Sequence, residues 1–168
     1  GTDWCRFGTQ DSTGLGVKLE KFLWGSWTPA KLKLAVSGCP RNCAEATCKD
    51  IGVICVELGY DIHFAGAAGL DIKGTELLGH AETEDECVEV IAALTQLCRE
   101  QGRYLERGYK WAKRIGYDTV RQQVMRDVAG RRALYERFVH SQSFVQRDPW
   151  TERVEGKEAH EFRAIADL

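Results

Sequence analysis

Lys31-Leu-Lys-Leu-Ala-Val-Ser-Gly-Cys-Pro-Arg-Asn-Cys43 decides how this chain is read, because it joins a strand to a pair of cysteines within one short run. Leu32, Leu34 and Val36 alternate with Lys33, Ala35 and Ser37, the period-two pattern of a half-buried strand, and Gly38 stops it. Pro40 suits the first position of a helix, where its missing N–H costs nothing, so a short helix is predicted from Pro40 to Cys48. Cys39 then sits at the N-cap and Cys43 one turn further in. Both sulfurs would share a face near free backbone N–H groups and the positive helix end, which favours the thiolate form that ligates metal. Two buried structural cysteines are the competing reading. The Gly-Cys-Pro run favours ligation, and with Cys5 upstream the motif reads as part of an iron–sulfur site.

Working outward, Asp11 or Ser12 can cap a helix with an apolar stripe of Leu15, Leu19, Phe22, Leu23 and Trp27, ended by Thr28-Pro29. Ile51-Gly-Val-Ile-Cys-Val reads as a buried strand, and Tyr60 to Phe64 as its hairpin partner. The loop Phe64-Ala-Gly66-Ala-Ala-Gly69-Leu follows. It lacks the setting of a dinucleotide fingerprint, and Lys73 makes no Walker loop. Thr83-Glu-Asp-Glu86 is a capping box opening a helix of Val88, Ile91, Leu94 and Leu97. These elements predict an α+β fold, a mixed or antiparallel sheet covered by helices. Beyond it, helices are predicted over Tyr109 to Ile115, Thr119 to Val128 and Arg131 to Phe144. The expected organisation is an α+β domain over residues 1–106, a helical extension over 107–146 and an acidic tail over 147–168, with Glu152, Glu155, Glu158 and Glu161.

The other cysteines are not recruited to the site. Cys87 and Cys98 share a face of one helix but lie roughly 16 Å apart along its axis, too far for a disulfide or a single metal. Cys55 falls in the buried strand and Cys48 closes the short helix. A zinc site of Cys43, Cys48 and Cys55 matches no common spacing. His63 alternates with Ile62 and Phe64 and reads as a solvent-facing strand histidine, with a proton donor as the alternative. His80, His140 and His160 have no partner in the pattern.

Three stretches carry a resemblance to a known family: the Lys33-to-Cys43 run, Asp50-Ile-Gly-Val, and Tyr60-Asp-Ile-His-Phe-Ala-Gly. Together they resemble the sirohaem and 4Fe-4S domain of nitrite and sulfite reductases, and among these the large subunits of the NAD(P)H-dependent assimilatory type, which Gly1-Thr-Asp-Trp-Cys-Arg-Phe-Gly-Thr also resembles. The likeness is clear to about residue 100. It implies four cluster ligands in the order C-x5-C then C-x3-C, with Cys5 second, Cys39 third, and Cys43 fourth and the bridge to the sirohaem iron. The first would stand two positions before Gly1. The chain also starts without methionine and reads as a piece of a longer polypeptide. As it stands it is expected to hold no intact cluster and no sirohaem, and to be inactive alone. Where many members read Gly-Cys-Pro-Asn-x-Cys, this chain has Arg41 and then Asn42, both of which the resemblance places at the sirohaem periphery. It also implies that the Gly66–Gly69 loop packs near the cofactor.

The function implied is reduction of nitrite to ammonia, with electrons passing from NAD(P)H through FAD in upstream domains, and with a small Rieske-like subunit as a possible partner. Sulfite reduction, or a non-catalytic metal-binding or interaction module, are the alternatives. Composition agrees with a soluble domain: 43% hydrophobic and 29% charged residues, and a net charge of −2. Seven irregularly spaced cysteines and no apolar run long enough for a membrane fit a reducing cytoplasm. The Arg/Lys-rich stretch from Arg99 to Arg137 reads first as a solvated helix face and second as a dock for an acidic partner. A pI near 6.1 argues against nucleic acid.

Overall fold

The computed structural model describes residues 5–145 and 154–156, and its described residues form five α-helices and two sheets, an α+β fold. Helix α1 (Ser12–Leu23) begins where the Asp11 carboxylate accepts the Gly14 N–H at 2.8 Å, and it buries Leu15 and Leu19. It ends at Leu23, before Trp27. Gly25 takes φ +70° and turns the chain away, leaving Trp27 81% exposed, so this tryptophan does not extend the apolar stripe.

The strands are β1 (Leu34–Ser37), β2 (Ile51–Val56), β3 (Gly59–Phe64), β4 (Ala67–Ala68), β5 (Ile72–Lys73) and β6 (Glu76–Ala81). The main sheet runs β1-β2-β3-β6; β1 is parallel to β2, the other pairs are antiparallel, and β4 and β5 form a small hairpin. Only a loop is predicted where β4, β5 and β6 stand. The physical reason for β6 is a register shift between Ile62 and His63, so this strand buries Leu78 and Ala81, three apart, and never alternates.

Helix α2 (Glu84–Gln101) covers the sheet. The Thr83 hydroxyl accepts the Glu86 N–H at 3.2 Å, while the Glu86 carboxylate accepts the Glu82 N–H at 3.1 Å, one residue earlier than a standard box. Then come α3 (Gly108–Ile115), α4 (Tyr117–Arg121) and α5 (Val128–Gln142). The helix predicted over Thr119 to Val128 is instead α4 followed by a wide π turn, Gln122–Arg126. Asp127 breaks it there and caps Gly130 N at 2.9 Å, so α5 starts at Val128 rather than Arg131. Trp111, Ala112, Val120, Val124 and Leu134 from these helices share one buried cluster with Val53, Ile62 and Ile91. The helical extension therefore adds to the core of the sheet domain.

Charge joins these helices to the body of the domain. Arg131 meets Glu89 at 2.9 Å, Arg137 meets Glu100 at 2.7 Å, Arg121 meets Glu76 at 3.1 Å, and Arg114 meets Glu106 at 2.6 Å. These guanidinium groups are spent in ion pairs, which leaves less free positive charge than the sequence implies. Arg107, at the start of α3, gives Nη2 to both oxygens of Asp50, at 2.7 and 2.9 Å. The Asp50 side chain is 1% exposed. It also accepts the Lys33 N–H at 2.8 Å, and its own carbonyl accepts the Ala65 N–H at 2.9 Å. Asp50, through its carboxylate and its carbonyl, thus ties together the starts of β1, β2 and α3 and the end of β3. The acidic tail, including His160, lies outside the described residues except for 154–156.

Candidate metal centre

Strand β1 delivers Ser37 and Gly38 to the end of the sheet, and the chain there does not enter a helix. Cys39 to Cys48 is a chain of tight turns: Cys39 O accepts Asn42 N at 3.0 Å, Asn42 O accepts Glu45 N at 2.9 Å, and Glu45 O accepts Cys48 N at 3.2 Å. The predicted helix from Pro40 fails because Asn42 and Glu45 both take φ +54°, a left-handed conformation that Asn tolerates better than most residues. Cys39 is consequently no N-cap, and helix-dipole activation of the pair falls away. A single 3-10 turn, Ala46–Cys48, closes the loop.

The side chain of Asn42 holds that shape. Its Oδ1 accepts Ala46 N at 2.7 Å and its Nδ2 donates to Thr47 Oγ1 at 2.7 Å, so both ends of the amide are used within the loop. Beneath it, Gly52 of β2 leaves room for Ala46, since a Cβ at Gly52 would lie 2.2 Å from Ala46 O. Cys39 is buried at 7% exposure, whereas Cys43 is exposed.

The segment carrying Cys5 lies across the same sheet end. Cys5 O accepts Gly8 N at 3.0 Å in a tight turn, and the Thr9 N–H and hydroxyl both donate to Gly38 O, at 2.9 and 3.2 Å. Gln10 Nε2 reaches Val56 O at the end of β2, at 3.1 Å. Arg41 stacks on Phe7, with its guanidinium carbon 3.8 Å from the ring centroid. The structure thus brings the Cys5 turn and the Cys39–Cys43 loop together, through Arg41 and through Phe7, Thr9 and Gln10, which the sequence reading did not single out. Phe7 stands two residues after Cys5, and that adjacency is the one signal that could have found it.

Cys5, Cys39 and Cys43 are free thiols. No three His, Cys, Asp or Glu side chains among the described residues are grouped closely enough to hold a metal, so neither Cys5, Cys39 and Cys43 nor a zinc trio of Cys43, Cys48 and Cys55 forms a ready-made site. In its chemistry the donor set fits a cluster: thiolate-forming side chains only, on two loops fixed to one another, with Arg41 and Arg6 nearby. Burial raises the thiols of Cys55, Cys87 and Cys98, to about 11, 12 and 12, keeping them protonated in the core. Brief treatment of the folded chain with a maleimide is expected to label Cys43 first and to spare these three. Peptide mass spectrometry after timed quenching checks this, and modification of Cys87 at the rate of Cys43 would contradict it.

The Gly66 loop packs on the return limb of the cysteine loop. Gly66 N donates to Lys49 O at 3.0 Å, and a Cβ there would lie 2.4 Å from that oxygen. Because Phe64 registers with Ile51, and Ile51 with Leu34, this loop lies at the end where β1 begins, away from Gly38 and Cys39. His63 is half-buried rather than solvent-facing; its Nδ1 lies 3.2 Å from Thr75 Oγ1, and burial lowers its pKa. His80 has a partner after all: the Asp61 carboxylate lies 2.9 Å from its Nδ1 and raises its pKa. His140 meets the ring of Phe144 edge-on. A groove of about 920 Å³ runs between α1 and β1, lined by Val17, Trp24, Leu34 and Val36 among others and by none of the cysteines. Among the described residues, no helix is long and apolar enough to cross a membrane.

Residues 1–132 match the family described as nitrite and sulphite reductase 4Fe-4S domain, which extends the likeness well past residue 100. The NAD(P)H nitrite reductase of Bacillus subtilis (strain 168) is 42% identical over 158 residues, covering 94% of this chain and 19% of that protein. The NADH nitrite reductase large subunit of Escherichia coli (strain K12) is 31% identical over 156 residues, 92% of this chain and 18% of that protein. An assimilatory-type sulfite reductase of Nitratidesulfovibrio vulgaris is 32% identical over 125 residues, 74% of this chain and 57% of that protein. The chain spans less than a fifth of the length of the two nitrite reductases it matches.

Proposed function

Since the chain belongs to the nitrite and sulphite reductase 4Fe-4S domain family, we propose that it is the cluster- and sirohaem-binding part of a nitrite reductase that takes nitrite to ammonia with electrons from NAD(P)H. The observation that carries this reading is the pinning of the Cys5 turn onto the strand end bearing Cys39 and Cys43, by Thr9 on Gly38 and by Phe7 on Arg41. The similarity to nitrite reductases over more than nine-tenths of the chain supports nitrite as the substrate.

In this reading Cys5, Cys39 and Cys43 supply three thiolates, and a cysteine before Gly1 supplies the fourth. A bound cluster would supply single-electron transfer, with Cys43 the ligand residue on the sirohaem side. The chain's own residues divide the remaining work. Buried Cys39 anchors the site to β1, and exposed Cys43 presents its sulfur outward. Asn42 shapes the loop between them. Arg41, its face on Phe7, keeps its N–H edge free for a sirohaem carboxylate. Iron binding would draw the two loops closer, since a metal site is rarely preformed in the apo chain. FAD and NAD(P)H modules of the same polypeptide and a small Rieske-like subunit are the electron sources implied, in the cytoplasm. With Arg114, Arg121, Arg131 and Arg137 committed to ion pairs, the 99–137 stretch is a weaker dock for them than its composition implies.

Anaerobic reconstitution with iron, sulfide and sirohaem, on the polypeptide extended upstream, tests this. Visible absorbance and an electron paramagnetic resonance signal of a coupled cluster and haem are expected, with the coupling and nitrite reduction lost on Cys43→Ser. A Cys43→Ser protein that retains both would refute the assignment.

A further inference from the structure

We propose that Phe7 is a positioning residue of the metal centre, its ring in contact with the guanidinium groups of Arg6 and Arg41 so that the Cys5 turn is fixed against the Cys39–Cys43 loop. The inference rests on the reading of these cysteines as cluster ligands and names how the two halves are held in register.

The distances are those of direct stacking: the guanidinium carbon of Arg41 lies 3.8 Å from the Phe7 centroid and that of Arg6 lies 5.0 Å away. Both fall within the roughly 6 Å over which a cation is attracted to an aromatic face. Phe7 is 41% exposed and is not part of the buried core, so packing of the fold does not account for it. Downstream of the turn, Thr9 and Gln10 hold the segment by hydrogen bonds to Gly38, Val56 and Glu57. Between Cys5 and Gly8, the ring of Phe7 is the side-chain link to the opposite loop among the described residues.

The contact also accounts for the departure at position 41. An asparagine there would bring neither positive charge nor a planar cation to stack. Arginine brings both, and a stacked guanidinium gives its face to the ring while its edge donors stay free. Net charge near a cluster is one of the terms that set its potential, and the pair of Arg6 and Arg41 adds two positive charges to the Phe7 ring's surroundings. Phe7 therefore acts through Arg41 and Cys5 rather than by touching iron.

Variants of the intact polypeptide, reconstituted anaerobically, separate the contact from its parts. Phe7→Leu keeps apolar bulk but loses the π face, Arg41→Lys keeps the charge but loses the planar stack, and Phe7→Tyr keeps the stack. Phe7→Leu and Arg41→Lys are each expected to lose the cluster to a chelator about 10-fold faster, the lower end of what outer-shell changes cost a metal site. Both should shift the midpoint potential, with the urea midpoint of the apo protein unchanged, and Phe7→Tyr should behave as wild type. Wild-type retention and potential in both Phe7→Leu and Arg41→Lys, or a Phe7→Tyr protein as impaired as Phe7→Leu, would overturn the proposal while leaving the cysteine assignment standing. A wild-type polypeptide that takes up no cluster would overturn the cysteine assignment itself, and this proposal with it.

Discussion

Replacing Arg107 by alanine is expected to lower the stability of the folded chain by about 3–5 kcal/mol, the cost of leaving a buried charge without its partner. Asp50 is nearly inaccessible, and Arg107 is its cationic partner, at 2.7 and 2.9 Å. A domain of this size has about 5–15 kcal/mol in total, so the loss is a large share, about 10 °C in melting temperature. Asp50→Asn should cost less, because an amide oxygen can still accept the Lys33 N–H now held at 2.8 Å. Adding Arg107→Ala to Asp50→Asn should cost less than the sum of the two single changes, since a neutral pair strands no charge. Urea titration of the two single variants and the double variant checks this; additive effects would show that the two side chains are not coupled.

Gly52→Ala is expected to damage both stability and the metal centre, although glycine to alanine in a strand is ordinarily favourable. The new methyl would lie 2.2 Å from Ala46 O and 2.7 Å from Ala46 C, both backbone atoms. No rotamer relieves such a clash, so the 3-10 turn must lift off β2. Overpacking of this kind costs about 1–3 kcal/mol, occasionally more. Ala46 N is bonded to Asn42 Oδ1 at 2.7 Å, so the displacement passes to the residue beside Cys43. The observable is a lowered urea midpoint together with poorer iron retention in the reconstituted polypeptide; unchanged values for both would show that the loop yields freely.

Much of the fold is legible in the sequence where one local rule decides. Alternation gives β1, the continuous apolar run gives β2, and the Asp11 and Thr83 caps mark α1 and α2 within a residue. Legibility fails where tertiary geometry overrides the local rule. Pro40 is a good helix opener, yet Asn42 and Glu45 sit at φ +54° because the chain must turn back to pair β2 in parallel with β1. The bulge opposite β6 erases the alternation that would reveal it. At the proposed metal centre, the Cys39 and Cys43 pair stands out in the sequence because the two lie four apart in one short run. The grip of Phe7 on Arg41 is not readable, because it joins residues distant in the chain through the shape of two turns.

The parallel pairing of β1 with β2 also bears on the order in which this protein assembles. Strands β2 and β3 are joined by Glu57 and Leu58 alone, a hairpin of the kind that closes in about 1–10 μs. Strand β1 can join only after all of residues 38–50 have been brought round, and loop-closure entropy opposes that step until β2 is in place. The cysteine loop is that connection. Its thiols are thus among the last groups to be confined as the chain folds, after the β2–β3 hairpin has formed.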